Sequence, residues 1–137
     1  MYRRVPLLIL YLLSCALCDA RSIEQMSVRA PGDTVKIELV FGLKKLNDKV
    51  VTKKEWKRFV EEVITPRFPD GFTITDGNGH WKEPEEIISE RSKIFSVVCT
   101  RDAETEIKIN EIIQQYKTAF QQEAVLRMDT RVSYWLK

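Results

Sequence analysis

The chain has 137 residues, of which 44% are apolar and 31% charged, and its formal net charge is +2. This length fits one domain rather than two, and the composition excludes a disordered chain. The near-neutral charge balance gives no electrostatic case for binding nucleic acid.

The first 20 residues have the pattern of a secretory signal peptide. Arg3 and Arg4 form a positive start, and the apolar run that follows them is too short to span a bilayer. Two processing routes fit: a plain cut ahead of Arg21, which we favour, or lipidation of Cys15 in the lipobox-like run Leu-Leu-Ser-Cys. We therefore expect an exported protein, periplasmic or secreted, that is attached to a membrane only if Cys15 is lipidated.

Residues 21–33, which include Pro31-Gly32, are predicted to form a tether, and residues 34–137 a single α+β domain. Cys99 is the one cysteine left in a plainly cleaved chain, so no intramolecular disulfide is expected. We interpret Cys99 as a small buried hydrophobe on a strand.

The domain opens with a strand and a helix. Four apolar residues, Val35, Ile37, Leu39 and Phe41, alternate with Lys36, Glu38 and Val40, which predicts a half-buried strand that Gly42 closes. Thr52 and Glu55 are spaced as a capping box for a helix whose apolar stripe runs from Trp56 to Ile64. Prolines at positions 66 and 69 end that helix.

The second half repeats the pattern in another order. Residues 72–75 are predicted as a strand, and Asp76-Gly77-Asn78-Gly79 as a turn that leads into an extended arm. A long strand over 87–99, a helix capped within 102–105 and a last strand over 125–136 follow. In that last strand Leu126 and Met128 are expected to face the core, with Arg127 and Asp129 facing away.

Together the elements predict an α+β, ferredoxin-like β-α-β-β-α-β fold, with a four-stranded antiparallel sheet and two helices on one face. The other sheet face would be uncovered and would carry Val40, Thr73, Thr75 and Trp135. Such a face usually meets a ligand, a partner or a second copy. We therefore expect a homodimer through the open sheet face, or an unknown small ligand or envelope protein bound there.

Several polar residues are candidates for a site. Arg67, held between two prolines, could bind a carboxylate or phosphate, although pairing with an internal acid is favoured. His80 is the only histidine; it could act as a general base oriented by Asp76 or Glu90, although a surface role is favoured. One histidine cannot build a histidine-rich metal site, and no metal or cofactor is expected. Glu90, if it faces inward, needs a partner such as Arg67.

The run 63–73, Val-Ile-Thr-Pro-Arg-Phe-Pro-Asp-Gly-Phe-Thr, resembles the hallmark of an exported bacterial family of unknown function, DUF3574. The resemblance covers about residues 35–134 and includes Phe41-Gly42, Gly79-His80-Trp81 and residues 90–93 and 120–126. The family more usually has glutamine at the position of His80, which argues against a catalytic histidine. The resemblance implies an exported domain with no assigned reaction.

The favoured function is a non-catalytic cell-envelope domain that binds a small ligand or a partner. The alternative is a small cofactor-free enzyme with a pocket formed around Arg67, Glu90 and His80. The candidate ligand-binding residues are Arg67, Asp70, Asp76, His80, Trp81, Glu90, Lys93 and Gln122.

Overall fold

The computed structural model describes residues 34–45, 49–82 and 84–135. Its elements are β1 (Thr34–Gly42), α1 (Lys53–Phe59), β2 (Thr73–Lys82), β3 (Ile87–Thr100), α2 (Ala103–Phe120) and β4 (Leu126–Arg131). The predicted signal segment 1–20, the tether 21–33 and Cys15 lie outside the described residues. None of the helices described is both long and apolar enough to cross a membrane.

The four strands form one sheet in the order β2-β3-β1-β4, and every neighbouring pair is antiparallel. The first and third strands therefore lie at the centre, and the second and fourth at the edges. The predicted α+β, ferredoxin-like fold is confirmed.

The core lies between the helices and one face of the sheet. Alternation along β1 sends Val35, Ile37, Leu39 and Phe41 to this face, where each is at most 2% exposed. Tyr116 of α2 packs on Phe41 with ring centroids 4.5 Å apart. The opposite face, which carries the alternate residues of β1, is called the open face below.

The start of α1 confirms the predicted capping box. Thr52 Oγ1 accepts a hydrogen bond from the Glu55 backbone N–H at 3.2 Å, and Glu55 Oε2 accepts one from the Thr52 N–H at 2.7 Å. Beyond Phe59 the helix continues as a wider π-helical turn, Val60–Ile64. The proline-bracketed corner follows that turn.

The predicted turn at residues 76–79 is wrong. β2 continues without a break to Lys82, and its pairing with β3 extends from Thr73 opposite Ser96 to Lys82 opposite Ile87. Glycine marks close approach of other groups to a strand as well as turns. Here Gly77 and Gly79 mark close approach, by the side chains of Ser92 and Trp81 respectively.

β4 is shorter than predicted and faces the other way. Leu126 lies opposite Val40 and Met128 opposite Glu38, so both belong to the open face. Arg127 faces the helices instead because Glu106 of α2 accepts two hydrogen bonds from its guanidinium, at 2.7 and 2.8 Å. A bidentate ion pair thus outweighs the inward placement of apolar side chains on this edge strand.

Candidate functional site

A groove of about 740 Å³ lies on the open face, at the end of the sheet where β1 finishes. Its walls come from the residues that follow β1 and α2, namely Lys44, Lys45 and 121–125. We call it the sheet-face groove. Its floor consists of strand residues: Val40, Gly42, Trp81, Glu90, Ser92 and Leu126.

Glycines in the strands make room for the polar side chains of this floor. A Cβ on Gly42 would lie 2.5 Å from Glu90 Oε1, and one on Gly77 would lie 2.6 Å from Ser92 Oγ. Neither glycine has a positive φ, so neither is needed for its backbone conformation. They leave room for the ends of the Glu90 and Ser92 side chains, which lie directly over the neighbouring strands.

Glu90 is half-buried in the floor. Its Oε1 accepts a hydrogen bond from the Lys44 backbone N–H at 2.9 Å. Within the part of the chain that the structure describes, its carboxylate forms no ion pair. Among the described residues, this partly dehydrated acceptor is thus left without a cation.

Ser92 is 6% exposed and lies two residues further along β3, on the same face. Its hydroxyl has no hydrogen-bond partner among the described residues. Every fully buried side-chain nitrogen or oxygen in that part of the chain does have a partner. The Ser92 oxygen therefore keeps contact with the groove, where a bound molecule can satisfy it.

Hydrogen bonds hold the segment around Gly42 in place. The Tyr116 hydroxyl donates to the Gly42 carbonyl at 2.7 Å, and Gln122 Nε2 donates to the Lys44 carbonyl at 2.6 Å. Burial, and then the negative charge of Glu90, raise the pKa of Tyr116, which keeps the hydroxyl a donor. This frame fixes the Lys44 N–H that orients Glu90.

Three of the predicted site residues meet at this groove. Trp81 and Glu90 lie in its floor, and Gln122 lies in its wall. The sequence analysis missed Gly42 and Ser92 as parts of the site. The signal that could have found them is glycine within strand patterns, which indicates that another group approaches the backbone closely.

Arg67 and Asp70 lie elsewhere, on the corner after the π-helical turn. Arg67 Nε donates to Glu111 of α2 at 2.9 Å, and Nη1 donates to the Val63 carbonyl at 2.7 Å. This is the internal pairing favoured from the sequence. Asp70 is exposed. Because Arg67 is bound in the helix layer, the predicted pair with Glu90 is wrong.

Asp76, His80 and Lys93 also lie apart from the groove. Asp76 and Lys93 are opposite each other in the register and form an ion pair on the helix side of the sheet. The Lys93 ammonium holds the pKa of Asp76 below its usual value. His80 lies opposite Ser89 in the register, whereas its neighbour Gly79 lies opposite Glu90. The His80 side chain therefore faces away from the side of the sheet that carries Glu90. The predicted pocket around Arg67, Glu90 and His80 is therefore not formed.

The described residues contain no group of three or more His, Cys, Asp or Glu side chains that could hold a metal ion. Burial, together with the charges of Asp102 and Asp129, raises the pKa of the Cys99 thiol. These surroundings oppose formation of a reactive thiolate.

A family model for a protein of unknown function, DUF3574, matches residues 36–135. No curated protein matches the chain.

Solved structures with a similar fold include a phage SAM lyase in complex with S-methyl-5′-thioadenosine. It is 15% identical with a TM-score of 0.56, over 73% of this chain and 82% of that chain. A phage SAM lyase in the apo state is 13% identical with a TM-score of 0.56, over 82% of this chain and 98% of that chain. CutA from Synechococcus elongatus PCC7942 is 10% identical with a TM-score of 0.48, over 74% and 78%. At these identities the likeness to the phage structures shows the fold alone.

Proposed function

The chain belongs to the DUF3574 family of proteins of unknown function, and we propose that it binds a small organic ligand in the sheet-face groove. The observation that carries the proposal is the floor of that groove. Its Glu90 carboxylate has no ion-pair partner and its Ser92 hydroxyl, which contacts the groove, has no hydrogen-bond partner among the described residues, and both lie over glycines that leave them room.

The size and lining of the groove support a small molecule. A volume of about 740 Å³ lies within the range of small-molecule sites, which combine apolar walls with a few fixed polar groups. Val40, Trp81 and Leu126 supply the apolar contact, and Glu90 and Ser92 supply the polar groups. The frame around Gly42 holds Glu90 in place before any ligand arrives, which lowers the cost of ordering on binding.

Binding is favoured over catalysis because the described residues of the groove form no arranged acid–base pair. Ser92 would need a base within hydrogen-bond reach to act as a nucleophile, and its hydroxyl has no hydrogen-bond partner among the described residues. His80 faces the other side of the sheet.

We also propose that the chain acts in the cell envelope, either periplasmic or secreted. The support is the amino-terminal sequence, in which Arg3 and Arg4 precede a short apolar run. A small ligand taken up there would be a solute of the envelope rather than a cytoplasmic intermediate.

The test is nuclear magnetic resonance of the full chain, labelled with ¹⁵N, against a panel of small aromatic compounds that are cationic, neutral or anionic. The neutral nucleoside S-methyl-5′-thioadenosine, named with the phage structure, is part of the panel. We expect at least one compound to shift the amide signals of Glu90, Ser92 and Gln122 together in a saturable way.

Two tryptophan variants provide the matched control. Trp81→Ala should weaken binding, because Trp81 lies in the groove. Trp135→Ala should leave binding unchanged, because Trp135 is 65% exposed and does not line the groove. If no compound shifts the groove signals, or if both variants behave alike, the groove is not a ligand site.

A further inference from the structure

We infer that the ligand of the sheet-face groove is an organic cation that places its positive group beside Glu90 and a flat or apolar part on Trp81. This inference rests on the proposed function and names the class of ligand for the same site. It is carried by the charges, the acceptors and the aromatic surface of the groove.

The charge in the floor of the groove is negative. The groove as a whole, walls and floor together, is lined by four charged residues: Lys44, Lys45, Glu90 and Glu123. The Lys45 ammonium is bound to Glu55 Oε1 at 2.7 Å and lies 5.3 Å from the centre of the Phe120 ring. Lys44 and Glu123 are exposed at the rim, whereas Glu90 is half-buried. A half-buried charge acts through a lower dielectric than rim charges do, so Glu90 dominates the field.

Two side-chain acceptors beside the Lys44 backbone remain for a ligand. The Lys44 N–H is used by Glu90 Oε1, which leaves Glu90 Oε2 as an acceptor. One N–H of Gln122 Nε2 donates to the Lys44 carbonyl, and the amide oxygen of Gln122 remains as a second acceptor. A ligand that donates hydrogen bonds, such as an ammonium or amidinium, satisfies these two atoms, whereas an anion would lie beside the Glu90 carboxylate.

Trp81 adds a surface that favours the same class. Its side chain lies against Gly79, where a Cβ would be 3.1 Å from the indole Nε1, and the residue remains 47% exposed at the groove. Tryptophan is the best aromatic partner for a cation, and the attraction is stronger where water is partly excluded. An aromatic ring and a nearby carboxylate together select for an organic cation over a hydrated metal ion.

The experiment compares three probes of the same shape on the full chain: tryptamine, which is a cation, tryptophol, which is neutral, and indole-3-propionate, which is an anion. Dissociation constants come from titrations followed by the groove amide signals. We expect tryptamine to bind about tenfold or more tightly than tryptophol. The preference should shrink as sodium chloride is raised, because salt screens the charges.

Glu90→Gln should abolish this preference while keeping an acceptor for the Lys44 N–H, so the fold is retained. Glu61→Gln is the matched control, since it removes the same charge from the exposed surface of the helix layer. If tryptophol or the propionate binds in the groove as tightly as tryptamine, or if Glu90→Gln keeps the preference, the cation inference fails while ligand binding stands. If none of the three shifts the groove signals, the proposed function fails and the inference fails with it.

Discussion

Gly42 holds a position where one methyl group would collide with the candidate site. A Cβ there would lie 2.5 Å from Glu90 Oε1, whose hydrogen bond to the Lys44 N–H would have to break or shift. We predict that Gly42→Ala lowers the free energy of unfolding by about 0.5–1.5 kcal/mol, the net contribution of one hydrogen bond, because the flexible Glu90 side chain can move aside once that bond is lost. Urea denaturation followed by circular dichroism measures the change.

The matched experiment is a double-mutant cycle with Glu90→Ala. Once the carboxylate is gone, Gly42→Ala should be neutral or should stabilise the fold by about 0.4–1 kcal/mol, because the backbone is one that alanine adopts and the unfolded chain loses freedom. An equal cost in both backgrounds would mean that Glu90 is not the group that excludes a side chain at position 42.

At the scale of an element, the start of α1 should give stability that depends on pH. Hydrogen bonds from Lys45 and from the Thr52 backbone and hydroxyl lower the pKa of Glu55 from its usual 4.5 to about 2. The ionised form is therefore favoured by the fold, and its contribution is present above pH 4.5 and lost as the pH falls toward 2. Because the carboxylate is 41% exposed, water screens the interaction, and we expect about 1 kcal/mol.

Thermal unfolding of the parent and of Glu55→Gln between pH 6 and about 2 checks this prediction. The stability difference between the two proteins should be largest near pH 6 and should narrow as the pH falls. A gap that stays constant over this range would show that the charge of Glu55 does not contribute.

The ion pairs between β4 and α2 allow a second test at this scale. Arg127 donates to Glu106 and Asp129 with its side chain only 22% exposed, whereas Arg58 pairs with Glu62 at 72% exposure. Replacing a partly buried arginine leaves carboxylates without their donor. We predict that Arg127→Met costs about 1.5–3 kcal/mol and Arg58→Met less than about 0.5 kcal/mol. Equal costs in urea denaturation would contradict this.

The elements with regular periodicity could be predicted from the sequence. β1, the capping box at Thr52 and the stripe of α2 depend on local spacing, and all appear as expected. The facing of β4 could not be predicted, because it is decided by Glu106, which lies 21 positions from Arg127. The groove could not be predicted from the sequence either, because glycines 77 and 79 are equally typical of a turn. Only the pairing of β2 with β3 shows that they lie within a strand.

For the whole molecule, self-association through the open face stays a prediction. Val98 and Met128 lie there, 47% and 41% exposed, and neither lines the groove. Covering these apolar side chains with a second copy of the chain removes them from water, which lowers the free energy of the assembly. Sedimentation velocity should show a dimer of the parent that Val98→Lys shifts toward monomer. The same distribution for both proteins would leave this face without a role in assembly.

Export is a property of the whole chain that the amino-terminal sequence predicts and that mass measurement decides. When the full chain is produced in a Gram-negative host, we expect the envelope form to have lost residues 1–20 and to begin at Arg21. Cys15→Ser should then be processed like the parent, because the plain route does not use the thiol. A lipid-sized mass increment on Cys15, lost in Cys15→Ser, would instead establish a lipoprotein. Uncleaved chain in the cytoplasm would contradict export, and the candidate ligands would then be cytoplasmic organic cations.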